Sequence, residues 1–205
     1  MQQAKKRRTQ EERTAETKAK ILNATLDVME EDGIADASTA AIAKRAGVSR
    51  GALSHHYESK FDLIVAAVEF LLNRAIGNIE KLSDQVNAGE ATIEDVLDRL
   101  WEYDNRRLFI ISLDYLSAAR TDEKLYRALM PLGRAYQQHL DKIWSELARN
   151  AGIGPEKATV VLDMMLCLMR GMCLHTVLRD DADYFNNILA MWRESLPHVL
   201  GRKPA

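Results

Sequence analysis

No part of this 205-residue sequence alternates polar and apolar residues at the two-residue period of a β-strand, and no segment repeats elsewhere in it. Those absences exclude sheet and solenoid folds and leave helices. Only 2 cysteines occur, Cys167 and Cys173. Six residues apart on one apolar helix, they face different directions and cannot bridge each other within it. Two buried thiols in a reducing cytoplasm are the expectation. The 5 histidines (His55, His56, His139, His175 and His198) show no metal-ligand spacing, so neither a metal nor another cofactor is expected. A P-loop, a nucleophile elbow and a glycine-rich phosphate loop are all missing, which leaves an enzymatic reading nothing to rest on. The N-terminus is basic but lacks the apolar core of a signal peptide. The most apolar run, Val160 to Leu178, is interrupted by Asp163, Arg170 and His175, short of the ~18 uninterrupted residues of a membrane span. A soluble cytoplasmic protein is expected.

Charge of one sign is also scarce, with a net value of −2. Its distribution says more than its sum. Residues 1–60 hold 11 Lys and Arg against 9 Asp and Glu, and the remainder is acidic. Within residues 38–60 the only acid is Glu58, against Lys44, Arg45, Arg50 and Lys60. A cationic face confined to one end fits contact with nucleic acid at that end.

What the sequence does contain is helical periodicity. Ile21, Leu22, Leu26, Val28 and Met29 predict a helix over 14–32 that stops at Gly33, with an acidic last turn that opposes the helix dipole. Residues 1–12 read as a basic flexible arm around Lys5–Arg8, able to follow phosphates. From Lys60 an apolar stripe advances by four residues at a time from Leu63 to Val86. It predicts a helix of about 35–40 Å that links two domains as a lever. Thr92 and Asp95 form an approximate capping box ahead of a helix through Val96 and Trp101. Further helices are expected at 106–120, at 122–150 (kinked or split at Pro131), at 155–179 after Gly152-Ile-Gly-Pro155, and at 182–200. The fold class is all-α. A three-helix N-terminal domain (13–60) is joined by a long helix to a larger helical bundle (61–200), about nine helices in total, ahead of a short tail at 201–205.

One stretch organises the rest: Ser38 to Tyr57, followed by Lys60. Ser38 caps a short helix carrying Ile42, Ala43 and Ala46 on one face, and Gly47 ends it. Ser49 caps the next helix, whose first turn is Arg50, Gly51 and Ala52. Helix, tight glycine-containing turn and helix with an exposed polar start make a helix-turn-helix. Arg50, Ala52, Leu53 and Thr39 are the candidates for base-edge contact, since Arg can take guanine's two major-groove acceptors and Ala a thymine methyl. His55, His56, Tyr57 and Lys60 are candidates for phosphates, with Ser38, Arg45, Ser49 and Gly51 completing the set.

Thr39, Ile42-Ala43, Ala46-Gly47-Val48-Ser49, Gly51, His56 and Lys60 resemble the N-terminal DNA-binding domain of TetR-family regulators, over roughly residues 15–75. The resemblance implies double-stranded DNA with a near-palindromic operator as partner, a homodimer, a small-molecule effector held by the second domain, and phosphate contacts from His56 and Lys60. Ser54 stands where the family most often has an aromatic residue, and Tyr57 where it most often has Phe. Phosphate anchoring therefore falls on His55, His56, Tyr57 and Lys60. Two of these are histidines, so DNA affinity should rise as pH falls from about 7.5 to 6. Binding titrations at the two pH values check this, and equal affinities would show that neither imidazole gains a proton on binding.

For an effector, the second domain offers Trp101, Tyr103, Phe109, Tyr115, Trp144, Met164, Met165, Met169, Met172 and His175, aromatic and Met positions that could equally be plain core. Aromatics could also cage a quaternary ammonium group, a ligand that Ser54-His55 weakly suggests through a resemblance to the choline-responsive branch of the family. The helix from Pro155 is apolar nearly all round and needs cover on every side. A second subunit would supply it through Asp163, Cys167, Arg170, Gly171 and Leu174, with Phe185, Ile188 and Trp192 from the last helix. The function expected is a ligand-released, homodimeric repressor. The alternative is a helical DNA-associated or interaction module without promoter-specific regulation, or more remotely a carrier of hydrophobic molecules.

Overall fold

The computed structural model describes residues 9–92, 95, 96, 99, 103–150 and 152–199, with 103–105 described by backbone alone. All regular structure among these residues is helical: α1 (Gln10–Asp36), α2 (Thr39–Ala46), α3 (Arg50–His56), α4 (Lys60–Asn87), α5 (Tyr103–Ala119), α6 (Glu123–Asn150), α7 (Pro155–His175) and α8 (Ala182–Val199). The chain divides into two compact units between Leu71 and Leu72, within α4. The Lys5–Arg8 cluster and the tail at 201–205 lie outside the described residues, as does most of the helix expected after Thr92. Its capping box is described: the Asp95 amide donates to the Thr92 hydroxyl at 3.1 Å, and the Thr92 amide donates to the Asp95 carboxylate at 2.7 Å.

In the first unit, α1 starts earlier than its apolar pattern suggests. Thr9 and Glu12 form a reciprocal capping box, with the Glu12 amide 3.1 Å from the Thr9 hydroxyl and the Thr9 amide 2.8 Å from the Glu12 carboxylate. Two orphan donors are satisfied there, so Gln10–Glu12 form a helical first turn and not part of an arm. Gly33 does interrupt the helix, at φ 77°, which a side chain would oppose. Helical turns resume after it and bury Ile34. Ile21, Leu26, Met29, Ile42 and Leu63 are sealed from solvent, each stabilising the unit by about 1.5–3 kcal/mol.

In the second unit, α5, α6 and α7 pack on one another. The Trp144 indole of α6 donates to the Ala158 carbonyl of α7 at 2.6 Å. Pro131 does not split α6, which stays helical from Glu123 to Asn150. Pro131 is exposed, while Leu129 before it and Tyr136 and Leu140 after it are buried. Burial on both sides outweighs the single backbone bond lost. Pro155 opens α7 at its first turn, and α7 ends at His175, a turn short of expectation.

By length and composition α7 would suit a membrane span, despite the charges that interrupt it. Its inner side, through Val161, Leu162, Met165, Leu166 and Met169, is instead the core of this unit. Of the two thiols expected to be buried, Cys173 is, and burial pushes it up to about 11. Cys167 is exposed, because α7 turns its other side outward.

Candidate nucleic-acid interface and ligand cavity

The turn between α2 and α3 is built from three local devices. Ser38 accepts from the Ala41 amide at 3.1 Å, Gly47 closes α2 at φ 67°, and Ser49 accepts from the Ala52 amide at 3.1 Å. These satisfy helix-end groups that would otherwise be unpaired and fix where α3 leaves the turn. Ser38, Thr39, Ser49, Arg50, Gly51 and His55 are exposed, and Ala52, His56, Tyr57 and Lys60 half-buried. The His55 and His56 rings meet edge to face at 5.5 Å. Burial raises the Tyr57 phenol above its ordinary value, so it stays a hydrogen-bond donor.

Four positions depart from expectation or qualify it. Leu53 is 4% exposed and belongs to the core of the head, so it cannot reach a base edge. Arg45 forms a two-pronged ion pair with Glu31 of α1, one arm at 2.8 Å, with Asp27 3.9 Å away. Its charge already has a partner on α1, and the acidic end of α1 thereby acquires a purpose: it ties α2 to α1. The Lys60 ammonium donates to the Ala35 carbonyl at 2.7 Å, which leaves two of its three donors for another partner. The Ser54 hydroxyl bonds the Arg50 carbonyl of its own helix at 2.9 Å, in keeping with a position that does not reach outward.

The second unit holds a half-open cavity of about 190 Å³, lined from α4 to α7 by Leu72, Leu108, Phe109, Ser112, Tyr115, Leu116, Met130, Gly133, Arg134, Tyr136, Gln137 and Arg170. Phe109 and Tyr115 were expected there. Other candidates are placed elsewhere. Trp144 borders a separate void of about 20 Å³. Met165, Met169 and Met172 are core, because they fall on the buried side of α7. Met164 is 43% exposed on the outer side, and His175 is exposed at the helix end. Trp101 and the Tyr103 side chain lie outside the described residues.

Arg170, expected at an interface, lines the cavity. It sits at the flank of α7, where a long side chain can turn either way, and its Nε is buried without a hydrogen-bond partner among the described residues. Phe185, also expected at an interface, is buried within the chain, while Ile188 and Trp192 are half-buried. The outer side of α7 carries Val160, Met164, Cys167, Gly171 and Leu174 at alternating spacings of four and three. Asp163 is exposed at its edge, and Val177, Leu178 and Met191 add exposed apolar surface nearby in sequence. Periodicity names α7 as apolar all round; only tertiary packing decides which residues face out.

A helix-turn-helix with exposed polar residues on its second helix, in an all-helical chain, defines a DNA-binding transcriptional regulator. Residues 21–67 match the model of the tetR family of bacterial regulatory proteins. An HTH-type transcriptional regulator, Rv2912c of Mycobacterium tuberculosis, is 30% identical over 167 residues, covering 82% of this chain and 86% of that protein. The regulator CymR of Pseudomonas putida is 29% identical over 183 residues, covering 89% of this chain and 90% of CymR. A solved TetR/AcrR-family regulator from Aquifex aeolicus has the same fold, with a TM-score of 0.65 at 23% identity over 89% of this chain and 99% of that one. The chain belongs to the TetR family.

Proposed function

We propose that the protein is a homodimeric repressor, released from a near-palindromic operator by a small effector bound in its second unit. Residues 13–60 act as the head and 61–200 hold the effector and the partner subunit. The observation that carries this reading is the outward apolar stripe of α7 on a chain that also bears a helix-turn-helix. A single head offers few contacts, whereas two on a two-fold axis read half-sites about 34–36 Å apart. The cavity supports the effector step, and α4 links the two units in the chain.

In the complex, Arg50, Thr39 and Ala52 meet bases, while Ser38, Ser49, Gly51, His55, His56, Tyr57 and Lys60 meet the backbone. Fluorescence anisotropy with DNA from upstream of the gene, against random DNA of equal length, tests the reading. Upstream DNA should bind about 1,000-fold tighter. Arg50→Ala should weaken that binding by about 10–100-fold. Lys60→Ala should reduce the slope of log affinity against log salt by about one unit. That slope separates a phosphate contact from the Ala35 bond, whose loss alone would leave it unchanged. Equal binding to upstream and random DNA would sink the regulator reading.

A further inference from the structure

The cavity of the second unit combines a small volume, an apolar body and two arginines, one exposed and one half-buried. A dry apolar cavity of about 150 Å³ admits a benzene ring, so about 190 Å³ holds one ring, or a short branched chain, with a small polar group. Leu72, Phe109 and Met130 supply apolar wall. The charged residues in the lining are Arg134 and Arg170, and no carboxylate is among the lining residues. Arg134 is exposed and bonds the Tyr126 hydroxyl at 3.2 Å.

Arg170 is different. It forms no ion pair or hydrogen bond with any described residue, and its Nε is sealed from solvent. The Tyr115 and Tyr136 hydroxyls make no hydrogen bond among the described residues either. Burial raises both phenols, with the Arg170 charge opposing it, so both remain donors. A half-buried guanidinium with no counterion among the described residues, lining the same cavity as two phenols, is a set of donors suited to an anionic acceptor.

We propose that the effector is a compact monocarboxylic acid, its carboxylate held by the Arg170 guanidinium and the phenols of Tyr115 and Tyr136, its apolar body filling the rest of the cavity. The planar fork of an arginine matches a carboxylate in a two-pronged way. One such fork neutralises one negative charge, which favours a monoanion over a phosphate. Two arginines repel a quaternary ammonium ion, so the cage suggested by the aromatic residues is disfavoured. This assignment rests on the effector-released reading but concerns the chemistry of its site alone.

Calorimetric titration of the full-length protein tests it, with benzoate, 4-methylbenzoate, hexanoate and octanoate as probes, and benzamide, hexanamide and benzyltrimethylammonium as controls. At least one acid should bind, with its amide about 30-fold weaker or more. Tyr136→Phe should weaken the acid several-fold, and Arg170→Met should remove its advantage over the amide. Because Arg170 has no partner among the described residues, Arg170→Met should leave the ligand-free Tm unchanged or raise it. A fall of more than about 4 °C would make Arg170 a structural residue and overturn the assignment. So would equal binding of acid and amide, preference for the ammonium, or no binding by any acid at about 10 mM. Adding the bound acid to the operator complex separates the two proposals. An acid that binds through Arg170 yet leaves operator occupancy unchanged would defeat the release reading and leave the site chemistry standing.

Discussion

Met164→Asp together with Leu174→Asp should give a folded monomer with at least about a 100-fold loss of operator affinity. The two side chains are 43% and 60% exposed on the outer side of α7, in one stripe with Val160, Cys167 and Gly171. The homodimer proposed above would use this exposed apolar stripe as its contact, and the four-three spacing suits helix-on-helix packing. Each buried carboxylate without a partner costs several kcal/mol, and a two-fold axis counts each twice. Association should therefore fail, while the inner side of α7 keeps its packing. Operator affinity falls because two linked heads bind with an effective concentration in the millimolar range, and a lone head loses that advantage. Sedimentation should give a species of twice the 23.2 kDa chain mass for the parent and of the chain mass for the variant, with unchanged helical circular dichroism. A double variant that stays dimeric would place the subunit contact on another surface.

The same helix shows where the sequence was informative and where it was not. Local signals translated well. Ser38, Gly47 and Ser49 occupy the capping positions that their chemistry requires, because a cap involves only neighbours in the chain. The start of α1 was equally legible, since Thr9 and Glu12 have the spacing of a capping box, but the apolar stripe begins later and drew the boundary inward. The rotational setting of α7 was not legible. Asp163 and Arg170 lie seven residues apart on one flank, a spacing that suggests a shared environment. Yet Asp163 is exposed and Arg170 lines a cavity, because its longer side chain reaches past the helix edge toward the Tyr115 and Tyr136 rings. The sign of the cavity follows from that choice. No property of the sequence short of the packing of α5, α6 and α7 fixes it. Arg45 follows the same logic, as its partner Glu31 lies 14 residues away on another helix.

Trp144→Ala should destabilise the second unit by about 3–5 kcal/mol, which lowers Tm by about 10 °C for a chain of this size. Trp144 is 5% exposed, and its indole N–H at 2.6 Å from the Ala158 carbonyl fastens α6 to the opening of α7. Truncation would enlarge an apolar void of about 20 Å³, with no polar lining to hold a water in the space created. Trp144→Phe separates the two contributions. It keeps a ring against Leu140, Leu147 and Leu162 and loses the indole hydrogen bond together with part of the ring area. The Ala158 carbonyl can still serve as an acceptor within α7, so this change should cost only about 1 kcal/mol beyond the lost ring area. If Trp144 is a strut and not an effector contact, Trp144→Phe should leave the dissociation constant of a cavity-bound acid within about twofold, whereas Tyr136→Phe should not. Urea midpoints and calorimetric titration on the two variants read both quantities. A tenfold loss of acid binding in Trp144→Phe with Tm unchanged would return Trp144 to the effector site and make its bond to Ala158 incidental.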